Sequence, residues 1–259
     1  PSTINGKTVT KIGGFGYSDV KQIIIPDTVT EIAAYAFEGS NLESVYIPDS
    51  VTVIGESAFA FCSNLANVNI GNGVTVIDMA TFSNCANLRN VNLGNSITTI
   101  KAWAFYASFH IESLTIPQSV TKIETNAVNT ETAIIDNLYY SGNLELWFAA
   151  ISGENKYTTD FFSCAKNLYL NGELLSEVVI NDVTIIKERS YCEYSWITSV
   201  VISDTVTEIQ TCAFWLCENL SNVEFKGTMD QWLGITFGNQ IFDGTQVTVV
   251  KCSDGDVSV

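Results

Sequence analysis

Pro48-Asp49-Ser50-Val51-Thr52-Val53-Ile54-Gly55-Glu56-Ser57-Ala58-Phe59-Ala60-Phe61-Cys62-Ser63-Asn64-Leu65-Ala66-Asn67-Val68-Asn69-Ile70 is the stretch whose reading decides the fold. The segment after it repeats the landmarks 23 positions later: Val74-Thr75-Val76-Ile77, Thr81-Phe82, Cys85, Asn87-Leu88 and Val91-Asn92-Leu93. Self-similarity at a fixed period of this size marks a solenoid, in which one small unit is copied along an axis.

Working outward, the Val-Thr-x-Ile block recurs from Val9, Val29, Val51, Val74, Ile97, Val120, Val183 and Val206. Successive starts are spaced 20, 22, 23, 23, 23, 63 and 23 residues apart, so the first copies are short and one interruption breaks the series. Five residues after each block comes a large side chain: Phe37, Phe59, Phe82, Phe105, Val128, Tyr191 and Phe214. A short alternating run closes the unit, as in Val45-Tyr46-Ile47, Val68-Asn69-Ile70, Leu114-Thr115-Ile116 and Val223-Glu224-Phe225, which places one face inward and one outward. One copy offers about six apolar side chains at roughly 1.5–3 kcal/mol each. Ordering its backbone costs about 1–2 kcal/mol per residue, so a single copy cannot stand alone and stacked copies must shelter one another. The spacing predicts an α/β-type repeat solenoid, mostly β, with short irregular or helical arms.

These residues resemble the BspA-like, or treponemal-type, leucine-rich repeat family, whose pattern x-P-x-S-V-T-x-I-G-x-x-A-F-x-x-C-x-N-L-x-x-V-x-I stands nearly intact at Pro48 to Ile70. The resemblance implies a right-handed leucine-rich-repeat horseshoe of ~23-residue repeats. It also implies a secreted or cell-surface protein of a host-associated bacterium, with a role in adhesion to host or matrix proteins or to other cells.

Residues 1–259 are expected to be one BspA-like solenoid. Residues 1–128 hold regular repeats, 129–182 a variant Trp-containing unit plus a hairpin, and 183–259 further repeats and a C-terminal cap. The variant unit reads twice, as Leu138-Tyr139-Tyr140-Ser141-Gly142 followed by Trp147 and as Val223-Glu224-Phe225-Lys226-Gly227 followed by Trp232. Each is expected to carry a short helix, N-capped by Asn143 or Thr228, with Glu145 or Asp230 in its first turn. Asn171-Gly172 predicts a hairpin turn. Gln246 to Lys251 is expected to be a capping strand, and Asp254-Gly255-Asp256 a frayed end.

The net charge of −16 argues against nucleic acid, whose affinity comes largely from phosphate neutralisation, and against an anionic membrane surface. No apolar run approaches the ~18 residues of a membrane span, so no membrane insertion is expected in this chain. No basic, apolar leader precedes the first repeat, and the start at Pro1 reads as a processed or truncated one. Cys62, Cys85 and Cys217 share one repeat position, with Cys164 near it before Asn167-Leu168. A small side chain recurring in register reads as packing, so free buried thiols are expected, although Cys62 and Cys85 would stand ~4.8 Å apart and within bridging range.

The single histidine, His110, occupies the turn slot before Ile111 and reads as structural. No G-x-S-x-G, Walker loop, H-E-x-x-H or C-x-x-C occurs. The chain therefore reads as no enzyme and as needing no cofactor or metal. Trp147 and Trp232 read as core, whereas Trp103 and Trp215 read as partly exposed. The outward positions of the closing runs, Ser44, Tyr46, Asn67, Asn69, Asn90, Asn92, Ser113 and Thr115, form the candidate binding face for a protein or glycoprotein. Two other readings stand beside it. The chain could serve as a stalk, or as a carbohydrate-binding module using Trp103 or Trp215, in a larger surface protein. The Asn and Ser ladder could also simply satisfy itself along the sheet.

Overall fold

The computed structural model describes residues 2–124, 126–128, 134–142 and 164–259. The chain forms two compact units, Pro1–Phe161 with Tyr169–Glu173, and Phe162–Leu168 with Leu174–Val259. Each is built of mostly-β solenoid turns, about nine among the described residues.

In the first unit the closing runs Ser44–Ile47, Asn67–Ile70, Asn90–Asn92, His110–Ile116 and Ile134–Tyr140 pair as parallel strands. The register sets Val45 beside Val68, Val91, Leu114 and Leu138, so each apolar landmark lies beside its own copy. A second row comes from the Val-Thr-x-Ile blocks. Ile12, Ile32 and Ile54 align in one three-stranded ladder, and Ile77, Ile100 and Ile123 in another.

The arms form a third row, and they are not helical. Tyr35, Phe37 and Gly39 donate their N–H groups to the carbonyls of Glu56, Ala58 and Ala60 in the next coil, at 3.0, 2.8 and 2.7 Å. The intervening N–H groups of Ala36, Glu38 and Ser40 bond three residues back within the coil. This pattern satisfies the buried backbone without an α-helix. It requires left-handed residues two before and two after the central aromatic, as at Ser57 and Phe61 (φ 54° and 59°) or Ala80 and Asn84 (φ 54° and 59°). Helical arms were the alternative that the alternating turns exclude.

Inside the arms, Phe15, Phe37, Phe59, Phe82 and Phe105 form one stacked column with centroids 5.2–5.6 Å apart. Phe37, Phe59, Phe82 and Phe105 are fully buried. Offset stacking at this distance suits the ring quadrupoles and matches the ~4.8 Å step of adjacent strands. Val128 continues the row through a bridge to Phe105.

The second unit repeats the plan. Glu177–Ile180, Ser199–Ile202, Asn222–Phe225 and Val249–Cys252 run parallel, while Ile186, Ile209 and Phe237 align opposite them. Tyr191, Phe214 and Phe242 stack at 5.3 and 5.7 Å. Met229–Leu233 is an α-helix whose N-cap Thr228 forms a capping box with Gln231, with Asp230 in the first turn as the sequence predicts. Its Trp232 is buried between Phe225 and Phe237, at 5.3 and 5.2 Å. The corresponding expectation for Asn143, Glu145 and Trp147 lies outside the described residues. Asn171 and Gly172 both have positive φ (52° and 88°), as an Asn-Gly hairpin turn demands.

One expectation needs correction. The C-terminal end is not frayed: Gly255–Ser258 returns antiparallel to Val249–Cys252 through the two-residue turn Ser253-Asp254, and the Asp254 carboxylate accepts the Met229 N–H at 2.7 Å. The side-chain amides of Asn87 and Asn219 reach the previous coil, where they donate to the carbonyls of Ser63 (2.8 Å) and Ser195 (2.7 Å). Val201, at the alternate position of its strand, is only 8% exposed, lying mid-sheet between Val179 and Glu224 in register.

Candidate binding face

Along each closing strand of the first unit the residues alternate between core and solvent. Val45, Val68 and Val91 are buried, and Ser44, Tyr46, Asn67, Asn69, Asn90 and Asn92 are exposed beside them, with Ser113 and Thr115 half-buried. Parallel pairing sorts these eight side chains into two columns. Ser44, Asn67, Asn90 and Ser113 share one, and Tyr46, Asn69, Asn92 and Thr115 the other. The eight residues that the sequence singles out thus come together, and with the three valines they line one trough of about 390 Å³.

The amides are partly tied to one another. Asn90 Nδ2 donates to Asn67 Oδ1 at 2.9 Å, and Asn92 Nδ2 to Asn69 Oδ1 at a long 3.5 Å. An amide has two N–H donors and a two-lone-pair oxygen, so such a ladder uses part of its capacity and fixes the direction of the rest. The self-satisfying ladder and an available binding face are therefore compatible. None of the eight residues is charged, on a chain with 28 acidic side chains.

The sequence reading missed how the second column continues. Tyr139 lies in register with Thr115, and Tyr169 stacks on Tyr139 at 4.7 Å. The signal was present in the alternation of Leu138-Tyr139-Tyr140, where Leu138 and Tyr140 are buried and Tyr139 between them is half-buried. The second unit's outward column is different in kind. Its hydrogen bonds run from Ser199 to Glu177 (3.1 Å), Asn222 to Ser199 (2.9 Å) and Lys251 to Asn222 (2.9 Å), so charged groups stand at both ends.

The other candidates fall elsewhere. His110 opens its closing strand and its Nε2 lies 2.8 Å from Asp136 Oδ2 in a half-exposed pair. Trp103 is 45% exposed on an arm, and Trp215 is half-buried with the Arg189 guanidinium 5.5 Å over its ring. Among the described residues no group of three or more His, Cys, Asp or Glu could hold a metal ion. No helix among them is long and apolar enough to cross a membrane.

No disulfide joins any two of the seven cysteines, and six of them are buried. The Sγ of Cys62, Cys85 and Cys217 lies against the previous coil's aromatic carbonyl, at Phe37 (3.0 Å), Phe59 (3.2 Å) and Tyr191 (2.9 Å). Ser108 fills the same position and donates to Phe82 at 3.1 Å. Cys164 stands at the entry to the hairpin strand Ala165–Leu170. Burial raises the thiol of Cys85 well above its ordinary range and pushes Cys217 up to about 12. These thiols are inert donors.

The BspA type leucine rich repeat region model matches residues 10–135 and 163–255 in six copies. The chain belongs to that family. Among solved structures, a leucine-rich repeat protein from Bacteroides ovatus matches with 21% identity and a TM-score of 0.53, over 91% of this chain and 68% of that one. The leucine-rich repeat protein of T. pallidum matches with 18% identity and a TM-score of 0.35, over 94% of this chain and 73% of that one. The pneumococcal vaccine antigen PcpA matches with 16% identity and a TM-score of 0.38, over 92% and 75%. No curated protein matches. In this BspA-type repeat protein the outward columns of the first unit follow from the repeat itself, because its successive closing strands present the same two positions.

Proposed function

We propose that this chain is a secreted or cell-surface interaction module that adheres, without catalysis or cofactor, to a protein or glycoprotein of a host matrix or another cell. Membership of the BspA-type family supports an interaction role. The observation that carries the reading is the uncharged trough over Ser44, Tyr46, Asn67, Asn69, Asn90, Asn92, Ser113 and Thr115, an extended contact surface assembled from four successive turns. The same proposal takes residues 1–259 as one right-handed solenoid of ~23-residue turns curved as a horseshoe, and takes the chain to act outside the cell.

Surface plasmon resonance against immobilised host matrix proteins tests it. At least one should bind saturably, and the paired substitution Asn69→Ala with Asn92→Ala should weaken that binding about tenfold. Absence of binding across the panel, or binding indifferent to the trough, would count against the reading.

A further inference from the structure

The chemistry of the trough narrows the ligand, on the assumption that this face is the contact surface. We infer that it recognises a neutral, linear glycan rather than a bare polypeptide. Three observations point this way.

The first is composition. The centre of the trough is four side-chain amides, with hydroxyls of Ser and Thr beside them and no charge. Protein-binding hot spots are instead built from large aromatic and Arg anchors set in desolvated pockets. Here the floor is Val45, Val68 and Val91, which are 2–4% exposed and offer no such pocket. Amides that donate and accept side by side match the vicinal hydroxyls of a sugar. With no cation in the trough and a net charge of −16, an anionic glycan is disfavoured.

The second is preorganisation. The Asn90–Asn67 bond at 2.9 Å holds the first column in one orientation, and each of these amides retains hydrogen-bonding capacity toward solvent. A ligand meeting fixed donors loses less free energy to ordering side chains than one meeting mobile ones.

The third is spacing. The amides stand on two adjacent strands ~4.8 Å apart, with hydroxyl side chains on the strand to either side, and this step is about the length of one pyranose ring in an extended β-linked chain. An extended peptide advances ~3.3 Å per residue and falls out of step with such a ladder. Tyr46, 60% exposed, stands at one end of the second column, and the stacked pair Tyr139–Tyr169 continues it at the other. Aromatic faces in these places suit the C–H-lined face of a sugar ring.

Isothermal titration with cellohexaose, xylohexaose, mannohexaose and chitohexaose tests the inference, with hexagalacturonate as the charged comparator. At least one neutral hexaose should bind with a Kd of about 1 mM or tighter. Tyr46→Ala, and Asn69→Ala with Asn92→Ala, should each weaken it about tenfold or more, while Trp103→Ala leaves it unchanged. These side chains are exposed, and unchanged circular dichroism and melting temperature would show that the variants fold. No binding by any neutral hexaose, or binding indifferent to the amides, overturns the glycan assignment. A second arm separates this from failure of the adhesion reading. A matrix glycoprotein that still binds through Asn69 and Asn92 after enzymatic removal of its glycans leaves the face as the contact and sinks the glycan. A glycoprotein whose binding ignores those residues sinks both.

Discussion

Ala80 holds φ at 54°, in a region that costs an L-residue roughly 1–2 kcal/mol. Its N–H donates to the Ala102 carbonyl of the next coil at 3.1 Å, so the strained conformation brings an inter-coil hydrogen bond with it. Ala58, one residue before Phe59, is buried and has no positive φ. The same substitution should therefore act in opposite directions at the two sites. Ala80→Gly removes the Cβ penalty and is expected to be neutral or stabilising by up to about 1 kcal/mol. Ala58→Gly loses a packed methyl and gains unfolded-state freedom, and should cost about 1 kcal/mol or more. Urea unfolding of both variants measures the contrast. Gly94 is constrained differently: an added Cβ would lie 2.2 Å from the Gly71 carbonyl oxygen, backbone against backbone. Gly94→Ala must push two coils apart and should cost at least about 2 kcal/mol in the same assay.

The cysteine column works at the level of the turn. The Phe59 carbonyl faces the Cys62 N–H of its own coil at 3.4 Å and the Cys85 Sγ of the next at 3.2 Å. Cys85→Ser keeps a donor that Ser108 already supplies one coil on, and should be tolerated within about 1 kcal/mol; Cys85→Ala leaves that carbonyl with one long bond and should cost more. Burial raises the folded pKa of these thiols above the unfolded value of 9.0, to about 12 for Cys192 and Cys217. A raised folded pKa means that the folded state holds its proton longer. The stabilisation is then whole below pH 9 and is lost as pH climbs from 9 toward 12. Melting temperature should fall across that window, and a thiol reagent at pH 8 should modify the half-buried Cys252 before the six buried cysteines. What the sequence could and could not disclose about the turn follows from the same physics. The closing strands, the phenylalanine column and the candidate face were legible because burial against a copy fixes residue type at a fixed spacing. The arm's backbone was not, because its left-handed positions carry Tyr35, Ser57, Ala80 and Trp103 in place of the glycines that would announce them. Phe242 was hidden because the Trp232 helix lengthens its turn and breaks the 23-residue step. The C-terminal hairpin escaped because Asp254-Gly255 reads equally as a turn or as a solvated tail.

At the scale of each unit the fold is a sum of neighbour contacts, since among the described residues each strand pairs with the strands of the turns on either side of it. The phenylalanine column turns this into a gradient that can be measured. Phe82 is fully buried and stacks on both sides, against Phe59 at 5.4 Å and Phe105 at 5.6 Å. Phe15 is 38% exposed and stacks on Phe37 at 5.4 Å, at the N-terminal end of the column. Phe82→Ala removes a side chain between two rings that the backbone ladders hold in place, so its cavity cannot collapse, and it should cost about 3–5 kcal/mol. Phe15→Ala opens a site already reached by water and should cost clearly less. If stability is carried by neighbouring turns, hydrogen exchange after Phe82→Ala should quicken most in the coils of Phe59 and Phe105 and leave those of Tyr191 and Phe214 protected. Uniformly faster exchange across the chain would instead mean that the turns unfold as one cooperative block.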